Sequence, residues 1–469
     1  MSATEMTPRW DGRFDPSLAG RLPRSFALEH RVLPVRLEGG ALVVAAAEPG
    51  RPSLGRWLRL HAGGPTRVLA ADPGALARAL REAYGESEAH YAALAGSELG
   101  AAAAAGGRGV VEALVAAAVR AGASDVHFEP RAEGLHVRWR VDGVLREADL
   151  LERSEREATL TRLLVTTGLD VANRRSIQDG RTQVVVDRRR VDVRVCAVPT
   201  PHGLSVVLRL LPADAVFADP AELGAKGSLR EDFLAAVRPP EGMVLFAGPT
   251  GSGKSTSIDT AVELTRRPDQ KVVSIEDPVE RIKPGRTQIG VRHDLGFGFA
   301  TALRHVLRHD PDVIVIGEVR DLETAEVAFQ SALSGHKVFS TLHAGGALES
   351  VSRLLSLGLA PGLVAAALCA VVGQRLVRLL CRECRGEGCR ACAQEGFSGR
   401  SGLFEVLRVS PELRRAIRAR APREELLALA RATGFRPLRE HGEARVAAGE
   451  TTRLELLRAT GFGPEEGEA

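Results

Sequence analysis

MVLFAGPTGSGKST, from Met243 to Thr256, carries more chemistry than any other segment of this 469-residue chain. Five apolar residues have strand length. Gly248-Pro249-Thr250-Gly251-Ser252-Gly253-Lys254-Ser255 then fits G-x-x-x-x-G-K-[ST] in full, and Thr256 leads into the helical SIDTAVELTRR. Glycines let successive backbone N–H groups converge on a phosphate, and the following helix adds its positive end. Lys254 can reach the β- and γ-phosphates of ATP, while the Ser255 hydroxyl can ligate Mg²⁺. A chance glycine-rich turn is the plainer alternative; the strand before the loop and the helix after it count against that.

Around this loop, three further apolar runs end in polar residues. VVSI (272–275) runs into Glu276-Asp277-Pro278-Val279-Glu280, VIVI (313–316) into Gly317-Glu318, and KVFSTL (337–342) into His343. Strand–helix alternation predicts an open parallel α/β sheet, and such sheets bind ligands beyond the carboxyl ends of their strands. One crevice then receives a phosphate loop, acids and an imidazole. Glu318 is the choice for orienting the attacking water, with Glu276 and His343 as supporting polar groups. The competing readings are solvated turn acids for Glu276 and Glu280 and a structural role for His343. His127 and His336 are read as structural.

Composition narrows the function classes. Apolar residues are 44% and charged residues 26%, ordinary for globular chains. A net charge of +4 and only 4% aromatics argue against a nucleic-acid motor, which favours basic grooves and stacking platforms. Only five cations are lysines (Lys226, Lys254, Lys271, Lys283 and Lys337), so each lysine stands out in an arginine-rich chain. The most apolar run, Leu357 to Gly373, is interrupted by Pro361 and is too short to span a membrane; a buried helix is expected there. Nothing at the N-terminus reads as a signal peptide, so a cytoplasmic protein is expected, one that docks on a membrane through partners.

Cys381-x₂-Cys384-x₄-Cys389-x₂-Cys392 offers two thiolate knuckles, the ligand set of a closed tetrahedral zinc site with no open position for chemistry. A structural metal is therefore expected. Free thiols and a redox CxxC are the alternatives, and no thioredoxin-like pattern surrounds either pair. Cys196 and Cys369 sit in apolar runs and read as core.

GPTGSGKST, SIEDPVE, LRHVLRHDPDVIVIGEVRDLETAE and SGHKVFSTLHA together resemble the Walker A, Asp, Walker B and His boxes of the secretion and type IV pilus assembly ATPases, the traffic ATPases. The resemblance continues through SDVHFEP, VRWRVDGVLRE, QDGR and VDVRV upstream and GRSGLFEVL downstream. It is nearest to the type II secretion assembly ATPase E, with a type IV pilus extension ATPase as the alternative. A weakly hydrolysing nucleotide-binding scaffold is a further alternative. The tetracysteine insert resembles that of the secretion and pilus-extension branches and differs from the retraction branch.

The resemblance implies an α/β architecture in eight parts. A disordered leader (1–20) precedes an N-terminal partner-docking domain (21–90) and a flexible linker (91–109). A PAS-like α+β domain (110–212) and a second linker (213–235) lead to a RecA-like P-loop ATPase core (236–380). The tetracysteine zinc insert (381–402) and a helical C-terminal subdomain (403–469) follow. It also implies a homo-hexamer on the cytoplasmic face of the inner membrane, bound to cytoplasmic domains of platform proteins and using ATP, Mg²⁺ and Zn²⁺ but no nucleic acid. By position, Arg304 and Arg308 match arginines that serve the active site, and Arg189 matches a PAS-like-domain arginine that completes it. Leu204-Ser205 stands where the family has Glu-Arg, which bears on turnover rather than binding. The motifs for a cyclic dinucleotide are not found, and no such ligand is expected.

Overall fold

The computed structural model describes residues 8–22, 27, 30–50, 54, 58, 64–84, 109–211 and 217–461. The expected linker at 91–109 lies outside the described residues except for Gly109, as do 1–7, 212–216 and 462–469. The chain forms two compact units, residues 1–213 with 380–399, and residues 214–379 with 400–469.

The first unit begins with a three-stranded sheet, β1 (Val32–Glu38), β2 (Ala41–Ala46) and β3 (Thr66–Ala70). β1 and β2 form the antiparallel hairpin expected from the Gly39-Gly40 turn, and β3 adds parallel to β2. Leu33, Val35, Val43 and Ala45 alternate inward onto Leu76 and Leu80 of α1 (Pro73–Tyr84). Residues from Pro8 onward, read from composition as a loose leader, are laid on this sheet: Trp10 N bonds Ala70 O at 2.8 Å, and Asp15 caps a short 3₁₀ turn.

The same unit holds α2 (Val110–Arg120), β4 (Ala123–Pro130), β5 (Gly134–Val141), β6 (Val144–Glu152), α3 (Arg153–Thr167), β7 (Gln178–Val186), β8 (Arg189–Thr200) and β9 (Gly203–Leu211). The six strands make an antiparallel sheet in the order β6-β5-β4-β9-β8-β7. Period-two patterning puts Val126, Phe128, Val137, Trp139, Val193, Val195, Val206 and Leu208 on the face covered by α2 and α3. Leu204, at the position where the family has Glu, is buried in this core.

The second unit starts with a single turn, Pro220–Leu223, and α4 (Ser228–Val237), so part of the expected linker is helical. In chain order follow β10 (Gly242–Ala247), α5 (Lys254–Thr265), β11 (Val272–Glu276), β12 (Arg286–Gly290), α6 (Phe299–Val306), β13 (Val313–Ile316), α7 (Leu322–Leu333), β14 (Lys337–Leu342), α8 (Ala347–Ser356), α9 (Pro361–Ala367), β15 (Leu368–Leu380), β16 (Phe397–Arg408), α10 (Pro411–Arg418), α11 (Arg423–Ala432), α12 (Leu438–Ala447) and α13 (Arg453–Thr460). The sheet order is β12-β11-β13-β14-β10-β15-β16, and the ladders from β12 to β15 are parallel. Its central strands β10, β11, β13 and β14 are buried on both faces. Met243, Leu245 and Ala247 point into one core, and Val244 and Phe246 into the other.

One expectation is overturned. The apolar run Leu357–Gly373 is not a single buried helix, because its last part, Leu368–Gly373, is the start of β15, between β10 and β16. A strand buried on both faces is as uniformly apolar as a buried helix, so the pattern alone does not separate them. Downstream, the buried carboxylate of Glu405 on β16 accepts from the N–H of Ala347 at 2.5 Å and of Leu438 at 2.8 Å, capping α8 and α12 at once. Among the described residues, no helix is long and apolar enough to cross a membrane.

Candidate active site

Parallel register brings four strand ends to one crest: Ala247 of β10 pairs with Leu342 of β14, Ile316 of β13 with Ser340, and Ile275 of β11 with Ile316. The chain leaves β10 through Gly248, whose φ of 156° and crowded surroundings exclude a side chain: an added Cβ would meet Gln374 O at 2.5 Å and Ser252 Oγ at 2.6 Å. Gly253, at φ 87°, turns the loop into α5. Lys254 is the first residue of that helix. Its Nζ donates to the carbonyl oxygens of Gly248 and Pro249, both at 2.8 Å, so the ammonium lies across the loop. Burial pushes it down to about 8; the Arg375 cation adds to this, and the Glu318 carboxylate opposes it. Ser252 Oγ is buried without a partner in the loop. A close-fitting glycine cradle, an orphaned hydroxyl and a desolvated ammonium suit a bound polyphosphate.

Glu318 stands just past β13. Its carboxylate pairs with Arg320 Nη2 at 2.5 Å and lies 3.4 Å from His343 Nε2. Thr341 Oγ1 donates to Gly317 O at 2.8 Å and fixes the turn that presents it. Glu276, at the end of β11, accepts from Ser274 Oγ at 2.7 Å and Gln288 Nε2 at 2.9 Å. Ser255, Thr256, Glu276, Glu280 and Glu318 line one cleft of about 210 Å³. The Glu318 carboxylate acts electrostatically on the Lys254 ammonium.

The three arginines stand elsewhere. Arg304 is exposed on α6 and pairs with Glu323 at 2.8 Å; Arg308 is exposed on the following turn; neither lines the cleft. Arg189 is exposed at the start of β8, in the other unit.

Sequence reasoning missed several groups. Asp259, one turn beyond the loop on α5, is buried and accepts from Lys283 Nζ at 2.6 and 2.7 Å and Arg286 Nη1 at 2.6 Å; all three line the cleft. Lys283 carried a faint signal as one of five lysines. Arg320 carried one through its place two residues after Glu318. Gln374 and Arg375, at the end of the apolar run read as a helix, carried none.

The four cysteines converge: all four Sγ atoms lie within 4.8 Å of one another, with separations of 3.8 Å (Cys381–Cys389) and 3.7 Å (Cys384–Cys392, Cys389–Cys392). Tetrahedral geometry with ~2.3 Å metal–sulfur bonds needs ~3.8 Å between sulfurs. Backbone N–H groups of Gly388, Cys389 and Gly396 point at Cys384 and Cys392 sulfurs at 3.2–3.3 Å, as around bound thiolates. The donor set fits a soft divalent ion. The cluster packs with the first unit's six-stranded sheet through Ala393 and a nearly buried Arg146–Glu395 ion pair.

Residues 105–458 match the family described as type II/IV secretion system protein. The chain belongs to that family. Residues 8–90 match the MshEN domain. The type II secretion system protein HxcR of Pseudomonas aeruginosa is 42% identical over 75% of this chain and 76% of its own length. The type II secretion system ATPase E of Vibrio cholerae is 36% identical, covering 75% of each. Among solved structures, the pilus retraction motor PilT with bound ADP superposes with a TM-score of 0.51 at 25% identity, over 74% of this chain and 99% of that one. The α/β fold with its RecA-like sheet is that of this family.

Proposed function

We propose that this chain hydrolyses ATP to power pseudopilus assembly in type II protein secretion. It works as a homo-hexamer held on the cytoplasmic face of the inner membrane by the cytoplasmic domains of platform proteins. What supports this reading is the Glu318–His343 pair beside a phosphate loop whose Lys254 feels the Glu318 charge, in a family member aligned over three-quarters of its length with secretion ATPases.

Phosphoryl transfer asks a protein mainly to position groups and neutralise charge. The phosphate loop from Gly248 to Gly253 cradles the phosphates with its N–H groups, and Lys254 swings from its loop carbonyls onto the β/γ oxygens. Glu318 orients the attacking water and receives its proton at a carboxylate oxygen, steadied by His343 and Arg320. Glu276 holds the β11 end of the cleft. Ser255 Oγ and its oxygen-bearing neighbours Thr256 and Glu276 suit Mg²⁺, which when bound supplies charge neutralisation at the phosphates. Arg304, Arg308 and Arg189, standing clear of this cleft, are assigned to completing the site on assembly. Cys381, Cys384, Cys389 and Cys392 hold a structural Zn²⁺.

Phosphate release and nucleotide binding by the full chain with Mg²⁺ test this. Lys254→Ala loses ATP binding, whereas Glu318→Gln binds ATP yet loses most turnover. Retained ATP affinity in Lys254→Ala refutes the phosphate assignment, and near-normal turnover in Glu318→Gln moves the chemistry elsewhere. Release stimulated by a nucleic-acid strand would point to a different motor.

A further inference from the structure

Strand β15 passes under the phosphate loop at two mid-strand residues that the reaction outlined above does not use. Gln374, 2% exposed, accepts from Ser257 Oγ of α5 at 2.8 Å. Its backbone oxygen and amide nitrogen sit where side chains on Gly248 and Gly253 would go, at 2.5 and 2.8 Å, so it floors both ends of the loop. Arg375 reaches further. Its Nη1 donates to Gln374 O at 2.9 Å and its Nη2 to Gly345 O at 2.7 Å, two residues past His343. That same Nη1 is the third atom, at 3.3 Å, that a side chain on Gly248 would meet.

The guanidinium therefore ties β15, at the residue packed against Gly248, to the segment that follows His343. It bonds only neutral carbonyls, and among the described residues no carboxylate lies within ion-pair distance. Glu405 and Glu349 act on it from farther away, with Glu405 committed to two helix caps and Glu349 to Arg423. Burial pulls Arg375 below its ordinary value, yet an arginine stays charged across the working range. Two partly desolvated cations, Lys254 and Arg375, thus stand beside one loop with a single carboxylate, Glu318, opposing Lys254. Uncompensated buried charge of one sign favours a ligand of the other.

We propose that Arg375 is a positioning residue for the nucleotide phosphates, tying the strand packed under the phosphate loop to the segment after His343 and contributing a cationic charge that polyphosphate cancels. This rests on the ATPase reading and deepens it. The planar fork matters because it bridges two carbonyls in fixed directions, which an ammonium does not reproduce.

The test measures equilibrium binding of ATP, ADP and AMP, with ATP turnover, for the full-length wild type, Arg375→Gln and Arg375→Lys. In Arg375→Gln, ATP affinity falls about tenfold or more, ADP less and AMP least, because the lost attraction scales with phosphate charge. Arg375→Lys keeps most ATP affinity but loses kcat, since the bridge to Gly345 is gone. An equal loss for all three nucleotides marks a merely structural role and overturns the proposal, as does wild-type behaviour of Arg375→Gln. Should Arg375→Gln fail to fold, the lysine variant decides: retained affinity with reduced kcat supports the proposal, and unchanged kcat overturns it. A wild type that binds no ATP sinks the ATPase reading instead.

Discussion

Asp259→Asn isolates what the buried charge cluster beside the cleft contributes. The carboxylate is 7% exposed and holds Arg286, 2% exposed, and Lys283, 23% exposed. Asparagine keeps the shape and removes the charge. Lys283 can turn to water, but Arg286 cannot; its remaining acid is Glu263, 3.7 Å away. Removing one partner of a buried ion pair costs about 3–5 kcal/mol, and because Lys283 escapes, we place this variant near the lower end, about 3 kcal/mol. The damage is local: Arg286 begins β12, and Gln288 on that strand bonds Glu276. Native-state hydrogen exchange of the β12 and α5 amides reads this without assuming that the two units unfold together. A cost of ~3 kcal/mol appears there as roughly a hundredfold faster exchange in the regime where opening is at equilibrium. Adding Arg286→Met removes the orphaned charge and recovers most of the loss, a strong coupling between neighbours. Exchange within threefold of wild type, or a second substitution whose cost simply adds, refutes the reasoning.

Three further outcomes follow from the phosphate loop and the cysteine cluster. Because burial holds Lys254 at about 8 and its charged form engages phosphate, kcat/KM for ATP should be flat below pH 7 and fall as pH rises through about 8; a flat profile to pH 9 counts against its role. The sign for stability is opposite. Between about 8 and the ordinary 10.5 the folded chain holds fewer protons at Lys254 than the unfolded chain, so this group makes the ligand-free protein more stable as pH rises across that window, which denaturation at several pH values checks. Metal analysis should find about one zinc per chain, released by Cys384→Ser. Less than ~0.2 per unchelated chain defeats the tetrahedral site.

What could be read from sequence was local. GPTGSGKST announces itself because the loop, its cation and its hydroxyl are consecutive. Glu318 and His343 could be placed because a short apolar strand followed by a polar residue marks a strand end. The cysteine cluster was legible from spacing alone, but its seat against Ala393 and Arg146 was not. The same limit hid Asp259–Arg286 and Arg375: their partners lie far along the chain, and nothing in either segment's own pattern specifies the meeting. The Leu357–Gly373 run shows a second limit, since burial on all sides erases the periodicity that tells strand from helix.

Glu405 ties together two helix starts that the chain separates widely, one just beyond His343 and the other in the tail. Because its two oxygens are divided between them, neither start can be recapped without disturbing the other. Anyone splicing a relative's tail onto this chain must therefore choose a junction before α8, so that the carboxylate travels with both helices it caps. A seam placed at Pro437 would leave an inherited acid facing a foreign backbone, with the strain delivered to the segment behind His343.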